Sequence, residues 1–171
     1  MHVPKLYLTE PYSWKIRDID IRPTYRCNAR CPTCGSWKRK SPDLSVEQAM
    51  VICDHFHKLR KVIIEGGEPL LWGPLSTFIK HLDAEEIVVI TNAIFTEGVK
   101  HITKSLTPQD FRFVVSLNGI GKIHDFSRGV KGAFTALVKS VDIMVDRGYN
   151  VRFQYVGLKE NVGNLEETRH L

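Results

Sequence analysis

Five short strand-like runs separated by segments of helical periodicity restrict this chain to a narrow set of folds. "DIDIRP" (18–23) reads as a first strand running into a cysteine-rich loop, and "KVIIEGG" (61–67) is a β-branched run ended by glycines. "EIVVITNA" (86–93), "FRFVVSLNG" (111–119) and "VRFQYVGL" (151–158) supply the third, fourth and fifth strands. Between the first two lies "SVEQAMVICDHF" (45–56), a helix with Ser45 and Gln48 as a capping box. Its apolar positions Val46, Ala49, Met50, Cys53 and Phe56 share one face, flanked by His55 and His57 as solvated residues. Further helices carry Leu75, Phe78, Ile79 and Leu82, then Val99, Ile102 and Leu106, then Phe134, Leu137, Val141 and Met144 up to a left-handed stop at Gly148. Asn164 with Glu167 is expected to cap a last helix. Repeating strand–helix units imply a parallel sheet with right-handed crossovers and outer helices. The polar clusters "EGGEP", "TNA", "SLNG" and "KEN" all fall where strands end, the rim on which such folds build their sites.

Three of the four cysteines crowd into "CNARCPTC" (27–34), while Cys53 lies on the apolar helix face and reads as packing. Three readings compete for the cluster of thiols: a disulfide scaffold, a zinc site short of a ligand, or an iron–sulfur cluster with one iron left open. No apolar run is long enough to cross a bilayer, and "MHVPKLYLTEPYSWK" lacks the pattern of a signal peptide. A reducing cytoplasm is therefore expected, which makes the disulfide reading the weakest. At 171 residues and 43% hydrophobic, the chain has enough material for one core. Residues 1–40 carry nine Lys or Arg against Glu10, Asp18 and Asp20, so the basic excess surrounds the cysteine loop. That excess is either a solvated face or a positive field for an anionic cofactor or nucleic acid.

Cys27, Cys31 and Cys34 with Asn28 form a CxxxCxxC pattern, and Gly66, Gly67, Glu68 and Pro69 form "GGEP" at the end of the second strand. Together with "VVSLNGIGKIHDFSRGVKGAF" (114–134) and "GLKENVGNLEE" (157–167), these resemble the radical S-adenosylmethionine (radical SAM) superfamily. The branch most resembled contains molybdopterin-biosynthesis enzymes and SPASM-type peptide maturases. The resemblance implies a 4Fe–4S cluster ligated by Cys27, Cys31 and Cys34, with S-adenosylmethionine on the fourth iron. It implies that Gly66 and Gly67 give close approach and that Glu68 accepts hydrogen bonds from the methionine amine. Ser116 and Arg128 match positions that hold the methionine carboxylate, which suits a planar guanidinium. Asn92 and Asn118 lie at the same rim and are candidates for ribose or substrate contacts. Reductive cleavage would give a 5′-deoxyadenosyl radical that takes hydrogen from substrate. Asn161 stands between adenine-side packing and a turn, His124 and Asp125 are read as orienting their loop, and Trp37 and Trp72 as packing.

The resemblance implies a partial (β/α) barrel, here truncated after the fifth strand, since the family's usual core has six units. Residues 1–171 would be an incomplete core domain with an N-terminal extension over 1–17. Thr33 stands where many members carry an aromatic residue near the adenine. Implied partners are a small-molecule or peptide substrate and an electron donor such as flavodoxin or ferredoxin, with no membrane expected and nucleic acid disfavoured. Two alternatives stay open: a non-catalytic zinc- or cluster-binding scaffold, and a tRNA-modifying enzyme of the same superfamily, suggested by "WKRK" (37–40).

Overall fold

The computed structural model describes residues 16–56 and 58–170. The expected N-terminal extension therefore falls almost wholly outside the described residues, as does His57. Five strands, β1 (Asp18–Thr24), β2 (Leu59–Gly66), β3 (Ala84–Thr91), β4 (Arg112–Ser116) and β5 (Val151–Gln154), form one sheet. All neighbours are parallel and the order is β1-β2-β3-β4-β5, so the sheet is open, with β1 and β5 at its two edges. The connections carry α1 (Val46–Asp54), α2 (Leu75–His81), α3 (Thr96–Ser105), α4 (Lys122–Arg128) and α5 (Ala133–Asp146), with α6 (Leu165–Arg169) following β5. No helix among the described residues is long and apolar enough to cross a membrane.

Strand alternation divides core from site. Ile64, Val89, Phe113 and Val151 stand in one register row across β2 to β5, and all four belong to or pack against the hydrophobic core. Burying such side chains contributes about 1.5–3 kcal/mol each. Glu65, Ile90, Ser116 and Gln154, of the opposite parity, line a cavity instead. The Ser45–Gln48 capping box closes α1 as expected, with Gln48 N donating to Ser45 Oγ at 3.2 Å and Ser45 N to Gln48 Oε1 at 2.9 Å. Cys53 is 4% exposed on the core side of α1, and Gly148 takes its left-handed stop at φ 81°.

The fourth and fifth strands end earlier than their apolar composition predicts, because side-chain amides replace the ladder. Val156 N donates to Asn118 Oδ1 (3.1 Å) and Leu158 N to Asn161 Oδ1 (2.7 Å). Asn161 Nδ2 closes the junction on the carbonyls of Asn118 and Val156. Asn164 precedes α6, but its Oδ1 accepts from Ile120 N (2.8 Å) rather than capping the helix, while its amide meets Glu167.

Asp125 on α4 accepts from Gly132 N (2.7 Å) and Phe134 N (2.8 Å), so it secures the start of α5. Against the cost of burial, these amides hold its carboxyl below the ordinary range. Asp125→Ala should cost about 1 kcal/mol at neutral pH, as loss of a helix cap does. A depressed carboxyl stabilises above its unfolded pKa, and the contribution is lost as pH falls through the folded pKa. In urea unfolding the gap between wild type and variant should therefore close in acid, and a gap independent of pH would contradict this.

Candidate functional site

The loop 27–34 leaves β1 at its carboxyl end and is fastened on three sides. Gly67 N donates to Thr24 O (2.9 Å) and Glu68 N to Arg26 O (2.8 Å), which lays the "GGE" backbone directly against the entry to the loop. Gly66 has φ 134°, and a Cβ there would stand 2.5 Å from Thr24 O. A Cβ on Gly67 would collide with the carbonyls of Arg26 and Tyr25. The glycines are thus required by contact between two chain segments. On the other side Arg30 N donates to Arg128 O (2.7 Å), and Gly129, at φ 62°, lies so close that a Cβ would collide with Arg30 O. From the turn after β3, Asn92 Nδ2 donates to Asn28 Oδ1 (2.8 Å), and Trp37 Nε1 donates to Cys31 O (3.2 Å).

Each sulfur of the loop receives an N–H donor. Cys27 Sγ accepts from Ala29 N (3.4 Å) and Asn92 Nδ2 (3.8 Å), Cys31 Sγ from Arg128 Nη1 (3.8 Å) and Cys34 Sγ from Ser36 N (3.5 Å). Such donors favour thiolate sulfur, the form that binds metal. Burial pushes the Cys27 thiol up from its ordinary value, with the Ala29 amide opposing. All four cysteines are free, so the disulfide scaffold is set aside. No group of three or more His, Cys, Asp or Glu side chains converges on a single ion among the described residues.

A cavity of about 250 Å³ opens beside the three sulfurs. Nine of the ten residues expected at the site line it: Cys27, Cys31, Cys34, Gly66, Gly67, Asn92, Ser116, Asn118 and Arg128. Trp37, expected as packing, also lines it, as do Gln154 and Val156, which the sequence did not single out. Arg128 is 9% exposed, its Nη2 donates to Ser116 O (2.8 Å), and its buried Nε has no partner. It makes no ion pair among the described residues. A buried guanidinium without a directly bonded carboxylate has the chemistry to pair with an anion.

Glu68 is the exception among the ten, and its carboxylate is engaged away from the cavity. It is fully buried and does not line the cavity. Its Oε1 accepts from Leu70 N (3.1 Å) and Thr91 Oγ1 (2.7 Å), and its Oε2 from Asn92 N (2.8 Å). Burial pushes its carboxyl up, against these hydrogen bonds and the nearby charge of Arg128. The carboxylate is spent on fixing the turn after β3. There Ala93 adopts φ 55°, its amide bonds Thr91 Oγ1 (3.0 Å), and Asn92 Oδ1 accepts from Ile94 N (2.8 Å). Asn92 is therefore both a turn residue and a donor to the cysteine loop.

His124 is fully buried, and its Nδ1 accepts from Asn118 N (3.2 Å). Burial and the charge of Arg128 push its pKa down to about 4, so the ring is neutral and Nε2 carries the proton. Asn161, whose Nδ2 bridges two carbonyls, settles as a staple between the β4 and β5 ends.

The family model of the radical SAM superfamily matches residues 21–171. The chain belongs to the radical SAM superfamily. Among its relatives is a probable GTP 3′,8-cyclase of Archaeoglobus fulgidus, 30% identical over 140 residues, covering 74% of this chain and 47% of the relative. The Fe-coproporphyrin III synthase of Methanosarcina barkeri is 27% identical over 150 residues, 83% of this chain and 37% of that protein. Among solved structures, Streptococcus suis SuiB bound to precursor peptide SuiA superposes at TM-score 0.67 with 19% identity, over 90% of this chain and 36% of that one. The native anSMEcpe structure with bound AdoMet gives 0.62 at 17%, over 89% and 49%. The radical SAM chain described here thus spans about half, or less, of the length of the curated relatives it matches. The fold is that of a partial barrel with an open sheet. Its relatives bear enzyme names, as the resemblance implies.

Proposed function

We propose that this chain is the core of a radical SAM enzyme that holds a 4Fe–4S cluster through Cys27, Cys31 and Cys34 and binds S-adenosylmethionine in the adjoining cavity. The observation that carries it is the arrangement of three sulfurs, each with an N–H donor, around a cavity that also contains a buried guanidinium lacking a carboxylate partner. Three thiolates on one tight loop suit a cluster with an open iron better than a single ion. When bound, the two groups supply reductive cleavage of a carbon–sulfur bond, yielding a radical that abstracts hydrogen from substrate.

The chain's own residues bind, orient and exclude water. Arg128 receives the carboxylate of the cofactor, held in place by its bond to Ser116 O and by Gly129 against the cysteine loop. Asn92 and Arg128 donate to the cysteine sulfurs, an arrangement that steadies the ligands and tunes the potential of what they hold. Gly66 and Gly67 let the loop and the cavity floor meet, while Ser116 and Asn118 face the cofactor from β4 and the turn after it. Glu68 acts through Asn92, as a positioning residue. The hydrogen donor is a peptide or a small cofactor precursor, in line with the range of relatives, and the required electron comes from a protein donor.

Arg128→Gln tests the carboxylate contact. The reconstituted variant should keep its iron but bind S-adenosylmethionine at least tenfold more weakly, equivalent to about 1.4 kcal/mol or more. Equilibrium dialysis measures it, and an unchanged affinity would sink the assignment.

A further inference from the structure

A run of cations follows the cysteine loop and its flanks; within it Arg30 also donates to Cys27 O (2.7 Å) and Ala29 O (2.8 Å). Between positions 21 and 42 the chain has Arg22, Arg26, Arg30, Lys38, Arg39 and Lys40 and no acidic residue. Arg22 and Arg26 are neutralised by Glu65 (2.5 Å) and Asp43 (2.5 Å). Arg30, Lys38, Arg39 and Lys40 are exposed and have no carboxylate within ion-pair distance among the described residues. Aromatic rings order three of them. Arg30 and Lys38 lie 5.3 and 5.1 Å from the centre of Trp37, and Arg39 lies 5.1 Å from that of Tyr25. Stacking of this kind stabilises by about 0.5–1 kcal/mol at an exposed site and positions a charge without cancelling it. Trp37 is in turn bonded to Cys31 O and lines the cavity, and Cys34, the exposed cysteine of the three, lies just before it.

We propose that this face is the docking surface for an acidic protein that delivers one electron to the site. The inference rests on the cluster reading above and names a partner for it. Arg30 and Lys38 sit on Trp37, which bonds Cys31 O and lines the cavity, so a partner seated on them comes close to whatever the sulfurs hold. The carrier is oxidised by one electron and the cluster is reduced by one, with no bond made and no proton moved. Charge complementarity of this kind raises the encounter rate more than the affinity, and salt screens it. Single-stranded nucleic acid fits less well, because it needs open aromatic faces for stacking. Here the rings of Trp37 and Tyr25 are already engaged by cations.

The test uses the reconstituted chain and an acidic flavodoxin in its fully reduced form, with cluster reduction followed by stopped-flow absorbance. The double variant Lys38→Glu/Lys40→Glu should load iron normally and be reduced by dithionite to the same extent. Its second-order rate constant with flavodoxin should fall at least about tenfold, and the deficit should shrink as ionic strength rises from about 0.05 to about 0.5 M. Lys80→Glu/Lys104→Glu changes net charge equally on α2 and α3, and should leave the rate within about twofold. Equal rates for the wild type and the Lys38/Lys40 variant would overturn the proposal, as would an equal loss in the α2/α3 control. An RNA oligonucleotide that binds the face and is released by the Lys38/Lys40 change, with flavodoxin unaffected, would overturn it in favour of nucleic acid. Failure to load iron would refute the cluster reading instead. The face is then judged by titrating oxidised flavodoxin into the metal-free chain, where loss of binding in the variant supports it and equal or absent binding overturns it.

Discussion

Cys31→Ala should abolish uptake of iron and sulfide, whereas Cys53→Ala should leave both at the wild-type level. Cys31 is held from two directions, its carbonyl by Trp37 Nε1 and its sulfur by Arg128 Nη1. A cluster with three protein ligands that loses one has two irons without protein anchors. Cys53 faces the core from α1, and burial pushes its thiol up to about 11, so it is uncharged at neutral pH. Its truncation should cost only about 1 kcal/mol of stability, the transfer value of a group near methylene size. Iron and acid-labile sulfide per chain decide the matter. A Cys53→Ala protein without iron would mean that the core face of α1 has been misread.

The second large effect is expected at Glu68. Glu68→Ala leaves Leu70 N, Thr91 Oγ1 and Asn92 N without their acceptor in a fully buried setting. Each stranded donor costs about 1–3 kcal/mol, so a total loss of at least about 3 kcal/mol is expected. That is a large share of a typical domain's stability. The same change frees Asn92, and with it the contacts to Asn28 and Cys27. Glu68→Gln keeps one acceptor oxygen and should fall between. Urea unfolding of the metal-free chain tests this, since a residue whose role is to touch the cofactor would leave the midpoint unchanged. An unshifted midpoint in Glu68→Ala would favour the direct contact with the methionine amine.

The strand positions were legible because parallel strands buried on both faces are written as β-branched runs, as in Val62–Ile64 and Ile87–Ile90. The helix α4 was not, for a physical reason: its buried residues are His124, Ser127 and Arg128, so its inward face carries no apolar period. Strand ends were overread because Asn118 and Asn161 take over the hydrogen bonds of the ladder, which composition does not reveal. At the site, the cysteine spacing was legible, Asn92 and Asn118 followed from their places at strand ends, and Gly66, Gly67, Ser116 and Arg128 came from the resemblance. The direction in which Glu68 points could not be read, since a carboxylate beside a cavity and one turned beneath it have the same neighbours in sequence. The role of Gly129, pressed against Arg30 O, needed the fold, because that contact joins segments about 100 residues apart.

The central claim is that Cys27, Cys31 and Cys34 hold a 4Fe–4S cluster with an iron open to S-adenosylmethionine. Anaerobic reconstitution with iron and sulfide, reduction with dithionite, and electron paramagnetic resonance with and without S-adenosylmethionine test it most directly. The account predicts a reduced 4Fe–4S signal whose shape changes when S-adenosylmethionine is added. A signal indifferent to it, or stoichiometric zinc in place of iron in protein made without oxygen, would contradict the account.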